Sequence, residues 1–479
     1  MSSIGTIARA EFSWLARSRL AQISGWLFAA LLALCVITSN TFLAQQTEHR
    51  QSHQDEASEI FANQPDRHPH RMVHYGQYVF RTPAPLASID PGLDAYGGTS
   101  LFLEGHRKNA AMFAGAGEGA ALVRLGSLTP AFCLQVLAPL LLILIGHGSI
   151  TRERETGTLK ALMAQGISLR DIAIGKLVVL FCVCTLCVAV LALAAISATN
   201  AVPNERSAAL TLVAAYGTYL TLWALVVITV SCLCRQSSNA FLTLAAFWLL
   251  STLVIPRFAA DIAKTSAPLE SAFARHMQVT AELRALGDSH NANDPNYQDF
   301  QTKVLAEYGV ASPEELPINI RGLLAVEGER QGAQVLKRFS TEDQQARQAQ
   351  QQIITSAGAL SPMLVLQTAS QAIAGTDLRA YHRFLDEAEA YRLQFVQTLN
   401  MLQATEVDYA LDRIKSIDVQ AEQSTRVSAD AWRQLPAFSF APAPAAVRIG
   451  GASSSLLLLL LWFGAGGCLF LWSTRWRPL

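Results

Sequence analysis

Residues 152–176 read RERETGTLKALMAQGISLRDIAIGK and separate two of the most apolar runs in the chain. Before them stands PAFCLQVLAPLLLILIGHGSI (130–150), and after them LVVLFCVCTLCVAVLALAAISA (177–198). A few turn residues would be enough to join two membrane-spanning helices. This connection is instead a whole segment with charges of both signs and glycines at 157 and 166, so it calls for a functional explanation.

The composition of the chain indicates a membrane protein. Of its 479 residues, 51% are hydrophobic and 15% are charged, whereas a soluble domain carries roughly a quarter charged residues. The formal net charge is zero. This balance argues against a nucleic-acid-binding protein, because such a protein needs a basic surface to displace counterions from phosphates.

Six segments are long and apolar enough to cross a bilayer, which takes roughly 20 residues of helix. We therefore predict a mainly α, polytopic membrane protein with six transmembrane helices and a large, mostly helical periplasmic domain. The predicted transmembrane helices cover residues 20–44, 129–150, 176–198, 208–233, 239–256 and 453–473.

The distribution of basic residues predicts the orientation of these helices. Arginine and lysine concentrate in residues 1–19 and 151–175, while the short loop 199–207 holds only Arg206. Because cytoplasmic loops carry the excess of basic residues, we expect both termini to be cytoplasmic. Residues 1–19 are then a cytoplasmic interfacial helix, and residues 151–175 are a cytoplasmic connection. The predicted periplasmic segments are 45–128 and 257–450.

The second periplasmic segment has the pattern of long helices. From Asp377 to about Trp432 it contains neither Pro nor Gly, and Ser340 with Asp343 predicts a capping box at the start of an earlier helix. An apolar stripe at steps of three and four predicts one buried face, packed either inside the domain or against a partner subunit. The stripe consists of Tyr381, Phe384, Ala388, Tyr391, Phe395, Leu399 and Leu402.

The first periplasmic segment contains three closely spaced histidines, His68, His70 and His74. On a helix, His70 and His74 would share one face at i, i+4, which is a spacing of metal ligands. However, Pro69 interrupts the local helical pattern, and the periplasmic segments contain no cysteine that could complete a site. We therefore expect structural histidines and assign no metal ligand, with a metal site as the alternative.

The predicted transmembrane helices offer neither catalytic groups nor a source of energy. They contain almost no ionisable residues apart from His147, whereas ion-driven carriers need such groups near the midplane. The phosphate-binding pattern GxxxxGK[ST] fails around Gly175 and Lys176, because Arg170 and Leu177 occupy the first glycine and the hydroxyl position. We predict no catalytic residue and no cofactor in this chain, so any nucleotide hydrolysis takes place in a separate subunit.

The segment at 152–176 has the pattern of a short helix between two breaks. Gly157 can end the helix that continues from the second span, and Gly166 can end a short helix over residues 158–165. Ser168 with Asp171 predicts a capping box for the next helix. The short helix would carry an apolar face that fits a groove on a soluble partner, and the alternative is a solvated interfacial loop. That face consists of Leu159, Leu162 and Met163.

Residues 148–176, with the core RERETGTL and a Gly-Lys pair at the next span, resemble the coupling region of ABC-2 type transporter permeases. The N-terminal IARAEFSWLARSRL (7–20) is similar to the interfacial helix of that family, and six spans match its usual number. HPHRMVHYG (68–76), IDPG (89–92) and LEGHRKN (103–109) resemble a bacterial subfamily with a large periplasmic insert. The loop between spans five and six is much longer than in typical members.

The resemblance implies the permease subunit of an ATP-driven exporter in the bacterial inner (plasma) membrane. Such a permease lies among membrane lipids and forms a dimer with a second, identical or homologous permease. Two copies of a cytoplasmic ABC ATPase bind ATP and Mg for it, and a periplasmic adaptor is a further candidate partner. The resemblance assigns ATPase coupling to Glu153, Arg154, Gly157 and Thr158, and the flanking charge and the apolar face add Arg152, Leu159, Leu162 and Met163.

Two other functions stay open at this point. In the first, ATPase cycles move the periplasmic domain, and the protein transmits force or a signal to periplasmic partners without substrate flux. In the second, the chain is a membrane anchor that needs no ATPase. Uncharged spans fit lipids, peptides and hydrophobic natural products equally well as exported substrates.

Overall fold

The computed structural model describes residues 3–112, 128–200, 202 and 204–475. Six helices among them are long and apolar enough to span a membrane, and each contains most of one of the six predicted segments. Each of them extends beyond at least one predicted end, where flanking residues continue the helix. The six helices are α2 (Arg19–Ala62), α4 (Pro130–Glu155), α6 (Leu169–Thr199), α7 (Arg206–Leu233), α8 (Ser237–Ser266) and α17 (Ala445–Ser473).

The other elements precede, connect or follow these six helices. The described residues contain two strands, β1 (Gln77–Phe80) and β2 (Ser100–Leu103), which pair in antiparallel fashion. Short 3₁₀ turns lie at Pro85–Ser88, Gly92–Ala95, Pro295–Tyr297, Pro313–Glu315 and Ala357–Ala359. The remaining helices are α1 (Ser3–Arg17), α3 (Pro69–Tyr75), α5 (Thr158–Ala164), α9 (Ala272–Ala285), α10 (Gln298–Tyr308), α11 (Ile320–Ser356), α12 (Pro362–Ala374), α13 (Leu378–Glu406), α14 (Tyr409–Ile414), α15 (Val419–Ser424) and α16 (Asp430–Arg433).

Helix α7 lies at the centre of the apolar bundle and packs against α4, α6, α12 and α17. Its Tyr216, Tyr219 and Trp223 are among the largest fully buried side chains of the described residues. Large aromatic side chains contribute strongly to burial energy, so α7 supplies much of the core. At one end of the bundle lie α1, α5 and the turn between α7 and α8 (residues 233–237), and we call this the short-loop end.

The two long segments predicted to lie outside the membrane fold together, and we call residues 45–112 and 267–444 the large domain. One hydrophobic core joins Phe61 and Leu103 of the first segment to Phe395 and Trp432 of the second. The predicted long helix after Asp377 is present as α13, which Asp377 caps, but it ends at Glu406 and the short helices α14, α15 and α16 follow it. Its apolar stripe packs within the chain, since its members Phe384, Ala388, Phe395 and Leu399 are all buried.

Helices α11 and α13 pair in antiparallel fashion, because the contacts between them follow opposite directions along the two helices. Asn400 donates to the carbonyl of Ala325, and Gln344 donates to Asp386. The predicted start of α11 at Ser340 is wrong, because α11 begins at Ile320 and runs through Ser340 without a break. No proline interrupts α11, so a locally favourable capping sequence does not end the helix that precedes it.

Helix α12 lies in the bundle although its sequence falls in the segment predicted to be periplasmic. Leu366 and Ile373 are fully buried there, and Ser370 is hydrogen-bonded to Tyr216 of α7 at 3.0 Å between hydroxyl oxygens. A helix of 13 residues is about 20 Å long and cannot cross a hydrocarbon core of about 30 Å. The chain therefore passes from the large domain into the bundle, forms α12 there, and returns to the large domain at α13.

Asp412 ties the two segments of the large domain together. Its fully buried carboxylate accepts hydrogen bonds from His68 of the first segment (2.9 Å) and from Asn319 of the second (3.0 Å), and it pairs with Lys415. Burial alone would raise the pKa of Asp412, but these hydrogen bonds, the first from His68, hold it well below its ordinary value. The ionised form is thus the form that stabilises the fold.

We expect Asp412→Asn to lower the free energy of unfolding of the large domain by about 1.5–3 kcal/mol at pH 7, because it removes the buried carboxylate charge that accepts hydrogen bonds from His68, Asn319 and Lys415. The pKa of Asp412 is lower in the folded state than in the unfolded state. Its contribution to the free energy of unfolding is therefore complete above the unfolded-state pKa of about 4, and it is lost as the pH falls from there toward the folded-state pKa. Urea unfolding at several pH values should therefore show variant and parent converging in acid. Asp430→Asn, at an exposed side chain, serves as the control and should change little.

Candidate functional site

The candidate site is the short-loop end of the bundle, where the segment that resembles a coupling region lies. Gly157 has φ +78° and Gly166 has φ +84°, left-handed conformations that glycine adopts readily. The predicted short helix between them is confirmed as α5. The predicted capping box is also confirmed, since the Ser168 hydroxyl accepts from the backbone N–H of Asp171 at 3.1 Å.

A buried ionic cluster holds the base of α5. The ammonium group of Lys176, on α6, lies 2.6 Å from Glu11 of α1 and 2.7 Å from Glu153 of α4. The side chains of Glu11 and Lys176 are each only 4% exposed. Arg152 adds a second cation, 3.3 Å from Glu11. The cluster therefore connects α1, α4 and α6 through ion pairs. Separating these helices would leave a buried charge without its partner, which is strongly unfavourable.

Helix α1 is also held by close packing. The guanidinium carbon of Arg152 lies 3.4 Å from the centre of the Trp14 ring, a cation–π contact. A Cβ atom at Gly175 of α6 would lie 2.8 Å from Cγ2 of Ile7 and 3.0 Å from the carbonyl of Ile4. Glycine at 175 therefore allows α1 to lie directly on α6.

The end of α4 is bound to the turn between α7 and α8. Arg154 donates to the carbonyl groups of Cys232 and Cys234. Glu155 accepts from the backbone N–H and the hydroxyl of Ser237, at 2.7 and 2.9 Å. Five helices, α1, α4, α6, α7 and α8, thus meet around the residues 152–155, and α5 projects from this junction.

The structure divides the predicted coupling residues into an inner and an outer set. Arg152, Glu153 and Arg154 make the contacts within the chain described above. Leu159 is buried and Leu162 packs against the bundle core, so these two attach α5 to the bundle and do not form the open face expected for a partner. Periodicity identifies an apolar face but not what covers it. Between residues 157 and 165, the exposed residues are Gly157, Thr158, Lys160, Ala161, Met163, Ala164 and Gln165.

Sequence reasoning did not identify Glu11 and Lys176 as members of this site. Lys176 entered only as part of the Gly-Lys pair of the resemblance and of the failed phosphate-binding pattern, and Glu11 lies in a helix otherwise recognised by its arginines and aromatic residues. Glu11 and Lys176 are 165 residues apart in the sequence, so no local pattern links them. One signal was present: a lysine at the edge of a long apolar run requires a counterion if the helix is packed.

Comparison with known proteins places one match in the large domain. A family model described as a domain of unknown function, DUF3526, matches residues 272–441. The match covers less than half of the chain, from the start of α9 to the residues before α17, and does not include the short-loop end. No curated protein matches the chain.

Lys176→Met should destabilise the bundle by up to about 3 kcal/mol, because Glu153 loses its cation and the buried Glu11 keeps only Arg152, at 3.3 Å. The expected result is a clearly lower Tm of the full chain in detergent. Lys160→Met is the matched control, because Lys160 is exposed on α5 and such a change is typically within about 0.5 kcal/mol. An equal effect of both substitutions would contradict a structural role for the cluster.

Proposed function

We propose that this chain is the membrane-spanning permease subunit of an ABC-2 type exporter in the inner membrane of a bacterium. Both termini and the short-loop end are cytoplasmic, and the large domain is periplasmic. Two copies of a separate ABC ATPase bind ATP and Mg and hydrolyse the nucleotide. The chain pairs with a second permease, identical or homologous, and has no catalytic site of its own.

The observation that carries this proposal is how α5 is attached to the neighbouring helices. Two left-handed glycines turn the chain between α5 and its neighbours α4 and α6, and the buried Leu159 attaches α5 to the bundle core. At its base, the cluster of Lys176, Glu11 and Glu153 joins three helices. A displacement of α5 therefore moves α1, α4 and α6 together, and rigid-body movement of packed elements is a common means of transmitting a conformational change.

The exposed face of α5 suits contact with the ATPase. Met163 is 38% exposed, and Lys160 is exposed beside it. An apolar side chain flanked by a charge fits a groove on a soluble protein. The charges at 152–155, by contrast, transmit the movement inside the permease and do not recognise the partner.

A second function, force transmission to the periplasm without substrate flux, is favoured by the continuity between bundle and large domain. Helix α2 is 44 residues long, about 66 Å, and extends well past the thickness of a bilayer. Helix α12 belongs to the chain segment of the large domain but packs on α7 and α17. Movement of the bundle would thus reach the large domain directly.

Met163→Glu should weaken binding of the ATPase by roughly tenfold or more, because a charge replaces the apolar contact at the tip of α5. Co-purification of the nucleotide-binding subunit with tagged permease measures the effect. Met401→Glu is the matched control, since Met401 is 45% exposed on the large domain. If both variants retain the ATPase equally, α5 is not the docking element.

Glu153→Arg should uncouple ATP hydrolysis from transport without preventing membrane insertion, because it places a third cation beside Lys176 and Arg152. The expected result in reconstituted vesicles is retained ATPase activity with most substrate flux lost. Unchanged coupled activity would refute the assignment of this junction.

The two functions differ in what reconstituted vesicles show on addition of ATP. An exporter accumulates a labelled lipid or hydrophobic peptide on the side of the large domain. A force-transmitting protein instead changes the distance between spin labels on α13 and α17 while no labelled compound crosses.

A further inference from the structure

Four histidines converge on one point of the large domain. His70 and His74 lie on α3, His106 follows β2, and His290 lies between α9 and α10. One ring nitrogen of each lies within 4.8 Å of the corresponding nitrogen of the other three. The Nε2 atoms of His70 and His74 are 3.1 Å apart. His290 comes from the second segment and the other three from the first, so the cluster bridges the two segments.

Local structure brings the first two histidines onto one face. Pro69 does not break the helix, as its position in the sequence suggested, but starts it at the first helical position, where proline is favoured. His68 caps α3 by accepting from the backbone N–H of His70. Its other ring nitrogen bonds Asp412, so His68 has the structural role expected of it and lies outside the cluster.

Close backbone approach places His106 over α3. A Cβ atom at Gly105 would lie only 2.2 Å from Cγ1 of Val73, so only glycine fits beside the helix. His106 itself has φ +63°, a left-handed conformation that non-glycine residues rarely adopt and that is concentrated at functional sites. The chain therefore holds His106 in an unfavourable conformation that aims its ring at the cluster.

Carboxylates orient two of the four rings. Nδ1 of His106 lies 3.1 Å from Glu329, which Arg392 holds at 2.7 Å. Nε2 of His106 is buried and has no hydrogen-bond partner among the described residues. Nδ1 of His290 lies 3.0 Å from Asp288. A carboxylate on one ring nitrogen with the other nitrogen left as a lone pair is the usual arrangement of metal-binding histidines.

The charge state of the rings agrees with this arrangement. Burial, followed by the neighbouring His290, His74 and His106, lowers the pKa of His70 to about 2. Partial desolvation, the largest cause, lowers the pKa of His74 and His290 as well. A lowered pKa favours the neutral imidazole, which is the form that ligates metals.

We propose that His70, His74, His106 and His290 bind one divalent transition-metal ion, with Zn²⁺ as the ion that suits them best. Four nitrogens at about 2.0–2.1 Å from zinc form a tetrahedron with edges of about 3.4 Å. Small movements of the exposed rings of His74 and His290 bring the present separations, 3.1 Å between His70 and His74 and at most 4.8 Å elsewhere, to that value. Imidazole also suits Cu²⁺ and Ni²⁺, whereas Mg²⁺ and Ca²⁺ prefer oxygen ligands.

The bound ion would link the first segment of the large domain to the region matched by the family of unknown function, which contains His290. Two of its ligands are exposed to solvent, so the ion can exchange without unfolding. The proposal concerns this chain alone and does not depend on the proposed transport function.

The test uses the full chain in detergent, stripped of metal with a chelator and then titrated with Zn²⁺. We expect one ion per chain, a higher Tm with zinc than without, and Co²⁺ absorption of the tetrahedral type. His74→Ala, at an exposed side chain, should abolish all three without unfolding the protein. Asp288→Asn should weaken binding about 10–100-fold, because it removes only the carboxylate that orients His290.

His276→Ala is the matched control, because His276 is exposed on α9 and lies outside the cluster. It should retain full binding. Zinc binding that survives the combined replacement of His74 and His290 by alanine, or Co²⁺ spectra of the octahedral type, would overturn the proposal. Competition by Mg²⁺ at concentrations similar to those of Zn²⁺ would overturn it as well.

Discussion

The short-loop end depends on one lysine that is enclosed between two carboxylates. Lys176 contacts Glu11 and Glu153 at the edge of an apolar bundle, where a charge without a partner is strongly unfavourable. The three groups come from three helices, so the ion pairs hold α1, α4 and α6 against one another. The position of α5, which hangs between α4 and α6, follows from that arrangement.

The bundle and the large domain are physically continuous. Helix α2 runs from one into the other, and α12 returns from the large domain into the bundle core against α7 and α17. The large domain in turn is closed by contacts between its two segments, through the core around Phe395, through Asp412 and through the histidine cluster. A protein built in this way can pass a movement of α5 to its far end without a flexible linker. The second proposed function, force transmission to the periplasm, rests on this continuity.

Local signals in the sequence were reliable where the physics is local. Runs of apolar residues defined the six long helices, glycine at 157 and 166 predicted the breaks around α5, and Ser168 predicted the start of α6. The same reasoning failed at Ser340, where a capping sequence lies inside a longer helix. It also misjudged Pro69, because proline ends a helix in its interior but favours its first position. In both cases the residues on the N-terminal side decided whether a helix begins at that position. A helix already runs up to Ser340, whereas none runs up to Pro69.

Hydropathy, helix breaks and charge determined by themselves that this is a helical membrane protein with a short helix between two of its spans. Only the tertiary structure decided what lies against what. It placed α12 in the bundle, paired Lys176 with Glu11, covered Leu159 and Leu162 with the chain itself, and brought His290 to His70. Each of these contacts joins residues far apart in the chain, and its energy depends on burial and on distances between side chains. Sequence patterns read within one helix carry no information on either quantity.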